Sequence, residues 1–276
     1  MFLIDGKALA ERIRAQVAQE IKEKHLSPHL AILLVGDDPA SHLYVGLKQK
    51  YAAEVGVRVT YEQRSADVSD DELVDLIQRW NQDPSVHAIL VQIPLPPGHD
   101  EQRIIEAIDP KKDVDGFRPA STSVPPVHEG ILRLINETPL KLSGASAAII
   151  VNSDLFAAPL KRLLSTGGMF VNVMHPDDLD QEKLASADVV VIAVGRTNFL
   201  HASMTKPDAV IIDVGTNKTD EGKTCGDVDR SSFEKTYVWL TPVPGGVGPM
   251  TIAQLLKNVA GLAQQDSSPS GSFALT

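Results

Sequence analysis

Tyr44 and Lys48 are the residues of this chain whose types and spacing most directly suggest chemistry. They are four residues apart in a helix predicted over residues 41–55, so both side chains lie on one helix face. An amine and a hydroxyl placed together can take part in proton transfer. The same spacing also occurs on ordinary surface helices, where the lysine only extends its charge to water, and in short-chain dehydrogenases. The pair alone therefore does not define a reaction.

The position of this pair favours a functional role. An apolar run over residues 29–35 predicts a strand that is buried on both faces. Residues 36–41 then predict a tight turn and a helix N-cap. The pair therefore follows the carboxyl end of a strand, which is where ligands bind in open α/β sheets.

Two more polar residues are candidates for the same site. Gln92 interrupts an apolar strand predicted over residues 86–93, where an amide without partners would be costly. It either has structural partners or faces the same cleft as Lys48. Asp115, followed by Gly and Phe, is a better ligand candidate than the charged loop residues before it, since a carboxylate can accept two parallel N–H donors from a ring.

The loop over residues 241–251 is the most specific stretch of the sequence. It reads Thr-Pro-Val-Pro-Gly-Gly-Val-Gly-Pro-Met-Thr and opens the last helix, predicted over residues 250–263. Its glycines and prolines fix an unusual backbone. Such a loop is typical of a rigid domain connection, and also of a backbone that closely approaches a ligand.

Strand and helix signals alternate along the chain, which predicts an α/β fold with parallel strands. The pattern restarts after residue 118, with the rhythm of a Rossmann-like doubly wound parallel sheet. We therefore predict two domains, an N-terminal α/β catalytic domain over residues 1–118 and a second domain over residues 119–249. The Ser/Gly/Pro-rich residues 266–276 predict a flexible tail.

Composition excludes several classes of protein. The net charge of −10 makes non-specific binding to nucleic acid or to an acidic membrane unfavourable. No apolar run approaches a membrane span, and the N-terminus lacks the features of a secretion signal. Cys225 is the only cysteine, which fits a reducing compartment. We predict a cytoplasmic protein without nucleic-acid or membrane partners, and without a metal site, since no His/Cys/Asp cluster has ligand spacing.

Residues 149–159 do not match the chemistry expected at their position. They read Ile-Ile-Val-Asn-Ser-Asp-Leu-Phe-Ala-Ala-Pro, where a strand should turn through glycines into a nucleotide-binding helix. Glycine lets the backbone approach a pyrophosphate, whereas Val151 adds a β-branched side chain and Ala157 a methyl group. The segment predicts a cofactor site that is altered or lost. A relaxed loop that admits the cofactor through other contacts is the alternative.

Together, these segments resemble the methylenetetrahydrofolate dehydrogenase/methenyltetrahydrofolate cyclohydrolase family. The matching stretches run in order from residue 36 to residue 251: GDDPASHLYVGLK, ILVQIPLP, DPKKDVDGF, VIIDVGTN, CGDVD and TPVPGGVGPMT. The resemblance implies a small-molecule tetrahydrofolate derivative as substrate and a homodimer. It also implies that the C-terminal helix, over residues 250–265, returns to complete the first domain as a folate-binding domain.

The resemblance implies roles for individual residues. Lys48 matches the catalytic lysine, Tyr44 the tyrosine that lines the folate site beside it, and Gln92 the glutamine that tunes the lysine. Asp115 matches the carboxylate that anchors the pterin-like ring. The substrate site also includes loop residues that border both folate and nicotinamide, namely Gly246, Val247 and Pro249.

Departures from the family pattern cluster in the cofactor site. The family's turn Gly-Arg-Ser-x-x-Val-Gly-x-Pro aligns with residues 151–159, where both glycines and the arginine are replaced, and its Cys-Thr-Pro appears as residues 126–128. The missing arginine removes a bidentate partner for the extra phosphate of NADP. Asp177 and Asp178 would repel that phosphate, although one could accept from an NAD ribose hydroxyl. The degenerate cofactor site is expected at Val151, Asn152, Ser153, Ala157, His175, Asp177, Val194, Gly195, Gly215 and Thr216.

We therefore predict hydrolysis of methenyltetrahydrofolate to formyltetrahydrofolate, which needs no cofactor. The NAD(P)-dependent methylenetetrahydrofolate dehydrogenase activity is predicted to be weak or lost, with NAD favoured over NADP. The first alternative is the full bifunctional enzyme. The second, from another class, is a non-catalytic folate-binding paralogue, against which the intact Lys48 argues, because a pure binder need not keep it.

Overall fold

The structure is a computed structural model that describes residues 1–219 and 221–267. Its strands are β1 (Phe2–Leu3), β2 (His29–Val35), β3 (Arg58–Arg64), β4 (Ala88–Val91), β5 (Ser146–Val151), β6 (Phe170–Met174), β7 (Val189–Ala193), β8 (Val210–Asp213), β9 (Asn217–Lys218), β10 (Thr224–Cys225) and β11 (Trp239–Leu240). Its α-helices are α1 (Gly6–Glu23), α2 (Pro39–Val55), α3 (Asp70–Gln82), α4 (Glu101–Glu106), α5 (Pro126–Asn136), α6 (Asp154–Thr166), α7 (Gln181–Ser186) and α8 (Val247–Ser267). Of the predicted flexible tail, residues 268–276 lie outside the described residues. No helix in the described ranges is both long enough and apolar enough to cross a bilayer.

The chain divides into two compact units, each built from two segments. Unit 1 comprises Met1–Ala10 and Val127–Thr251, and unit 2 comprises Glu11–Pro126 and the chain from Ile252 onward. These limits differ from the predicted 1–118 and 119–249, because residues 119–126 belong to unit 2 and residues 1–10 belong to unit 1. The N-terminus joins unit 1 because β1 pairs in parallel with β11, where the rings of Phe2 and Trp239 stack with centroids 5.0 Å apart. A strand of two residues gives too little alternation to be seen in the sequence.

Unit 2 contains a three-stranded parallel sheet in the order β3-β2-β4. All residues of β2 and β4 are buried, as their apolar runs predict for parallel strands covered on both faces. Strand β2 has its predicted bounds, whereas β4 ends at Val91, two residues before the predicted end. The apolar face of α3 packs on this sheet through Leu73, Ile77 and Trp80. The later part of α8 also belongs to unit 2, where Asn258 Nδ2 donates to the carbonyls of Val114 at 3.0 Å and Val124 at 2.9 Å.

Unit 1 contains a six-stranded sheet in the order β1-β11-β8-β7-β5-β6. All its strand pairs are parallel, which confirms the predicted Rossmann-like sheet. In the sheet, β5 lies between β6 and β7, whereas in the chain it comes before both of them. Because parallel strands end on the same side, the loops after β5, β6, β7 and β8 share one edge of the sheet. Every predicted cofactor residue lies on or near this edge.

Candidate active site

Lys48 and Gln92 form a direct hydrogen bond in unit 2. The Lys48 ammonium donates to Gln92 Oε1 at 2.8 Å. Gln92 Nε2 in turn donates to the carbonyl of Ile93 at 2.7 Å, which fixes the side-chain amide with its oxygen toward the lysine. The two alternatives that the sequence left open for Gln92 are therefore both realised: it has a structural partner and it contacts Lys48.

The start of α2 determines where Lys48 lies. Asp38, which lies within the segment predicted to hold the turn and N-cap, is the N-cap: its side chain accepts from Ser41 N at 2.7 Å, and Pro39 occupies the first helical position. The helix therefore begins two residues earlier than predicted. Tyr44 and Lys48 follow on one face, both half-buried.

Asp115 is positioned by a tightly folded loop. The buried carboxylate of Asp113 accepts from the backbone N–H groups of Gly116 at 3.0 Å and Arg118 at 2.8 Å. Gly116 has φ +68°, and a Cβ there would lie 2.5 Å from the carbonyl oxygen of Ser123. The loop is thus fixed on both sides of Asp115, which makes Asp113 a positioning residue that sequence reasoning missed.

The charges of Lys48 and Asp115 perturb each other. Lys48 keeps some exposed surface, but the surrounding protein removes most water from its ammonium, and this burial lowers its pKa below the ordinary value; attraction to Asp115 opposes the change. Burial raises the pKa of Asp115 to about 6, while attraction to Lys48 opposes the rise and repulsion by Asp113 adds to it. An amine whose pKa is lowered gives up its proton more readily than an ordinary lysine, which suits it to proton transfer.

The other predicted substrate residues belong to unit 1. Gly246 lies in the loop before α8, Val247 begins α8, and Pro249 lies in its first turn. Gly246 is required by packing, since a Cβ there would lie 2.7 Å from the carbonyl oxygen of Pro242. Contact of Gly246, Val247 and Pro249 with folate stays a prediction.

The turn between β5 and α6 has the strand–turn–helix arrangement of a dinucleotide site but lacks its glycines. Ser153 caps α6 by accepting from Leu155 N at 3.2 Å, and the helix runs 13 residues from its N-terminus at this edge. The replacement side chains Val151 and Ala157 are both buried, at 3% and 1% exposure, so they are absorbed into the packing of unit 1. The helix N-terminus still suits a phosphate, although Asp154 adds negative charge to its first turn.

Two departures from the family pattern, at residues 128 and 156, contact each other. The ring of His128, on α5, meets the ring of Phe156 edge-on, with centroids 4.8 Å apart. His128 is buried, and neither ring nitrogen makes a hydrogen bond to a described residue. Burial lowers the pKa of His128 to about 4, and the nearby backbone of Phe156 only opposes this change.

Two buried carboxylates that sequence reasoning missed organise the loops after β7 and β8. Asp227 accepts from the N–H groups of Val194 at 2.7 Å, Gly195 at 3.1 Å and Arg196 at 2.9 Å. Asp213 accepts from Gly215, Asp227 and Val228, each at 3.0 Å. Burial raises the pKa of Asp213 to about 6.

Glycines make room for these carboxylates. A Cβ at Gly215 would lie 2.3 Å from the Asp227 carboxyl carbon, and a Cβ at Gly226 would lie 1.9 Å from Asp213 Oδ2. This explains the Asp-Val-Gly and Cys-Gly-Asp motifs as packing requirements. The signal in the sequence is an aspartate within two residues of a glycine, at the end of β8 for Asp213 and after β10 for Asp227. Gly215, at a predicted cofactor position, is buried, while Thr216 is exposed.

Asp177 is held by an arginine from the neighbouring loop. Arg196 Nη1 and Nη2 donate to Asp177 Oδ1 and Oδ2 at 2.7 and 3.2 Å, a two-point contact. The hydrogen bonds from Arg196 are the main reason that the pKa of Asp177 is lowered. His175 lies beside the carboxylate, with its Nδ1 3.8 Å from Asp177 Oδ2. Within the described ranges, no three His, Cys, Asp or Glu side chains come together as a metal site.

The geometry defines an α/β protein with a lysine-centred site in one unit and a dinucleotide-type sheet in the other. Residues 4–115 match the catalytic domain of tetrahydrofolate dehydrogenase/cyclohydrolase, and residues 125–267 match its NAD(P)-binding domain. The chain belongs to this enzyme family.

Individual relatives cover almost the whole chain. It is 42% identical over 277 residues to the bifunctional protein FolD of Acidovorax ebreus, across 95% of this chain and 98% of the relative. The crystal structure of the bifunctional FolD enzyme of Campylobacter jejuni superposes with a TM-score of 0.92 at 37% identity, across 96% and 99% of the two chains. The Trypanosoma brucei FolD structure, complexed with NADP and an inhibitor, has a TM-score of 0.90 at 28% identity, across 97% and 98%.

Proposed function

We propose that the chain hydrolyses methenyltetrahydrofolate to formyltetrahydrofolate at the Lys48 site. The single observation that carries the proposal is the hydrogen bond of 2.8 Å between Lys48 Nζ and Gln92 Oε1, made by an amine whose pKa burial lowers. Such an amine gives up its proton more readily than a solvated lysine. Gln92 keeps it in one orientation.

The reaction divides into two proton transfers. Water adds to the cationic methenyl carbon as Lys48 accepts one of its protons, which leaves a neutral hydroxylated ring. One carbon–nitrogen bond of the ring then breaks as the carbon becomes a formyl group, and Lys48 returns a proton to the departing nitrogen. One water is consumed and one proton is released overall. Tyr44, on the same helix face, shapes the pocket and orders the proton path.

Asp115 anchors the substrate ring. Its ionised carboxylate accepts two parallel N–H groups from the amino-pyrimidine part of the pterin-like ring. Asp113 fixes the loop that carries Asp115. The loop is therefore already ordered before the substrate binds, and binding loses no conformational entropy there. Because the pKa of Asp115 is about 6, the carboxylate is ionised at neutral pH.

We infer that the chain also oxidises methylenetetrahydrofolate with a nicotinamide cofactor. The names of its relatives, which describe bifunctional FolD proteins, favour this alternative over the prediction that dehydrogenase activity is weak or lost. The bound cofactor supplies a hydride acceptor. Ser153 and the N-terminus of α6 would hold the pyrophosphate, and Asp177 the adenosine ribose. The carboxylates Asp154 and Asp177 disfavour an additional phosphate, so NAD is the preferred cofactor.

A homodimer in the cytoplasm is the proposed physiological form. The dimer is what the family resemblance implies, and β6 provides an open edge of the unit 1 sheet, with Phe170 70% exposed. Size-exclusion chromatography with light scattering tests the dimer, and a mass of one chain at micromolar concentration would contradict it.

Turnover of methenyltetrahydrofolate without nucleotide tests the hydrolysis, and turnover of methylenetetrahydrofolate with NAD or NADP tests the oxidation. Hydrolysis together with NAD-dependent oxidation supports the full proposal. Hydrolysis without any oxidation would support the prediction that the dehydrogenase activity is weak or lost. Folate binding without either reaction would indicate a non-catalytic paralogue.

A further inference from the structure

The ion pair between Arg196 and Asp177 spans the edge of the sheet at which a dinucleotide would bind. Asp177 lies three residues beyond the end of β6, and Arg196 lies three residues beyond the end of β7. Since β5 lies between these two strands, the pair bridges the carboxyl end of β5. Asn152, in the turn after β5, joins the same bridge by donating from Nδ2 to the carbonyl of Val194 at 2.8 Å.

The arginine is presented by a rigid backbone. The N–H groups of Val194, Gly195 and Arg196 are all bound by the buried Asp227, so the base of the side chain is fixed. The guanidinium carbon also lies 5.7 Å from the centroid of the Phe199 ring, within the range of a cation–π contact. Arg196 therefore reaches across the end of β5 from a fixed base, and its planar fork faces Asp177.

The two-point contact with Asp177 has the geometry that arginine uses for a phosphate. Both anions present two oxygens to two parallel N–H donors. In doubly wound folds, the region beyond the second strand receives the adenosine ribose, where a carboxylate accepts from the 2′-hydroxyl or a nearby arginine binds a 2′-phosphate. At this edge the carboxylate is Asp177 and the arginine is Arg196, and the charges of the two side chains neutralise each other.

We propose that Arg196 is a latent site for a ribose 2′-phosphate, masked by Asp177, and that this pair sets the choice between NAD and NADP. The inference rests on the nucleotide-dependent part of the proposed function. With Asp177 present, the 2′-phosphate meets a carboxylate and an arginine that is already engaged. Without Asp177, the same arginine is free to bind it. Arg196 thus stands in for the arginine missing at position 152.

Binding of nucleotide fragments tests the proposal without any turnover. Adenosine 2′,5′-bisphosphate and adenosine 5′-monophosphate, which differ only by the 2′-phosphate, are titrated by calorimetry into the wild-type protein, Asp177→Ser, Arg196→Gln and the double variant. In Asp177→Ser we expect the bisphosphate to bind at least about tenfold more tightly, with the monophosphate changed by less than about threefold. Arg196→Gln should weaken the bisphosphate by less than about threefold in the wild-type background and by about tenfold in the Asp177→Ser background.

The two backgrounds separate a masked site from general electrostatics. An equal effect of Arg196→Gln in both backgrounds would mean that the arginine acts only through its overall charge, and the proposal would be wrong. No gain of bisphosphate binding in Asp177→Ser, or a gain that persists in the double variant, would also overturn it. Thermal unfolding of each variant verifies that it is folded. Asp178→Ser removes the neighbouring carboxylate, which also repels the 2′-phosphate, so its gain should be smaller than that of Asp177→Ser and should not depend on Arg196.

NAD-dependent oxidation of methylenetetrahydrofolate by the wild-type protein provides a separate test of the nucleotide-dependent part of the proposed function. If oxidation occurs and the fragment titrations do not follow the expected pattern, the inference about Arg196 fails alone. If the titrations follow it and oxidation is absent, the proposed oxidation fails alone.

Discussion

Replacing Lys48 with methionine isolates the proton-transfer role of its amine. Methionine keeps a long apolar side chain but removes the group that donates to Gln92 Oε1 at 2.8 Å. A positioned general acid/base contributes about 100- to 10,000-fold to a rate. At about 1.4 kcal/mol per factor of ten, this is about 3 to 5.5 kcal/mol of transition-state stabilisation. We expect methenyltetrahydrofolate hydrolysis to fall by at least about a hundredfold, measured spectroscopically under single-turnover conditions.

Folding should survive the same substitution. Burial removes water from the Lys48 ammonium, and the protein does not fully replace that stabilisation, so the pKa of Lys48 is lowered. Removing this desolvated charge relieves its burial cost, but it also takes the attraction of Lys48 away from Asp115 and the donor away from Gln92 Oε1, which costs stability. Because these effects oppose each other, we expect the variant to remain folded, and the midpoint of thermal unfolding verifies this before a loss of rate is attributed to chemistry.

A pH profile of folate binding measures how strongly the charge of Lys48 acts on Asp115. Attraction to Lys48 holds the pKa of Asp115 down, at about 6. Without the lysine, Asp115 should bind its proton more tightly, and the acid limb of folate binding should move to higher pH. Calorimetric titration with a folate ligand between about pH 5 and pH 8 measures this shift.

Lys50→Met is the matched control, because Lys50 is an exposed lysine on the same helix. It should leave the rate and the pH profile unchanged. Near-normal hydrolysis in folded Lys48→Met would refute the assignment of Lys48 as the acid/base. An acid limb that does not move would show that the charge of Lys48 does not act on Asp115.

Three further predictions concern Asp115, the cofactor turn and the buried carboxylates. Asp115→Ala should weaken folate binding by about 2–5 kcal/mol in calorimetry, and wild-type binding should weaken as the pH falls through about 6, because protonation removes the acceptor. The wild-type protein should bind NADP more weakly than NAD, and combined Val151→Gly, Asn152→Arg and Ala157→Gly should improve NADP binding more than any single change, since they act on one site. Asp213→Ala should lower the free energy of unfolding by at least about 2 kcal/mol in urea denaturation, because it leaves three buried N–H groups without their acceptor.

Each of these predictions has a defined contrary result. Unchanged folate affinity in Asp115→Ala would place this residue outside the site. Micromolar NADP binding by the wild-type protein would mean that the cofactor turn works without its glycines. Glu234→Gln, which changes an exposed carboxylate in unit 1, is the control for Asp213→Ala. If both variants lowered the free energy of unfolding by the same small amount, the structural role assigned to Asp213 would be wrong.

Short-range patterns determined much of this protein. The continuous apolar run over residues 29–35 predicted β2 at its observed bounds, because a central parallel strand buries both faces. The spacing of Tyr44 and Lys48 placed both on one helix face, because that relation depends only on helix geometry. The ordered motifs from residue 36 to residue 251 identified the family before any contact was known.

Contacts between distant segments were decided by the tertiary structure alone. The sequence identified Gln92 as costly to bury, but only its bond to the Ile93 carbonyl determines that its oxygen faces Lys48. Asp177 was predicted to repel a phosphate, whereas its pairing with Arg196 depends on β5 lying between β6 and β7. Alternating strand and helix signals give the number and direction of strands, but not their order in the sheet. Strand order determines which loops meet, and therefore which charges neutralise one another.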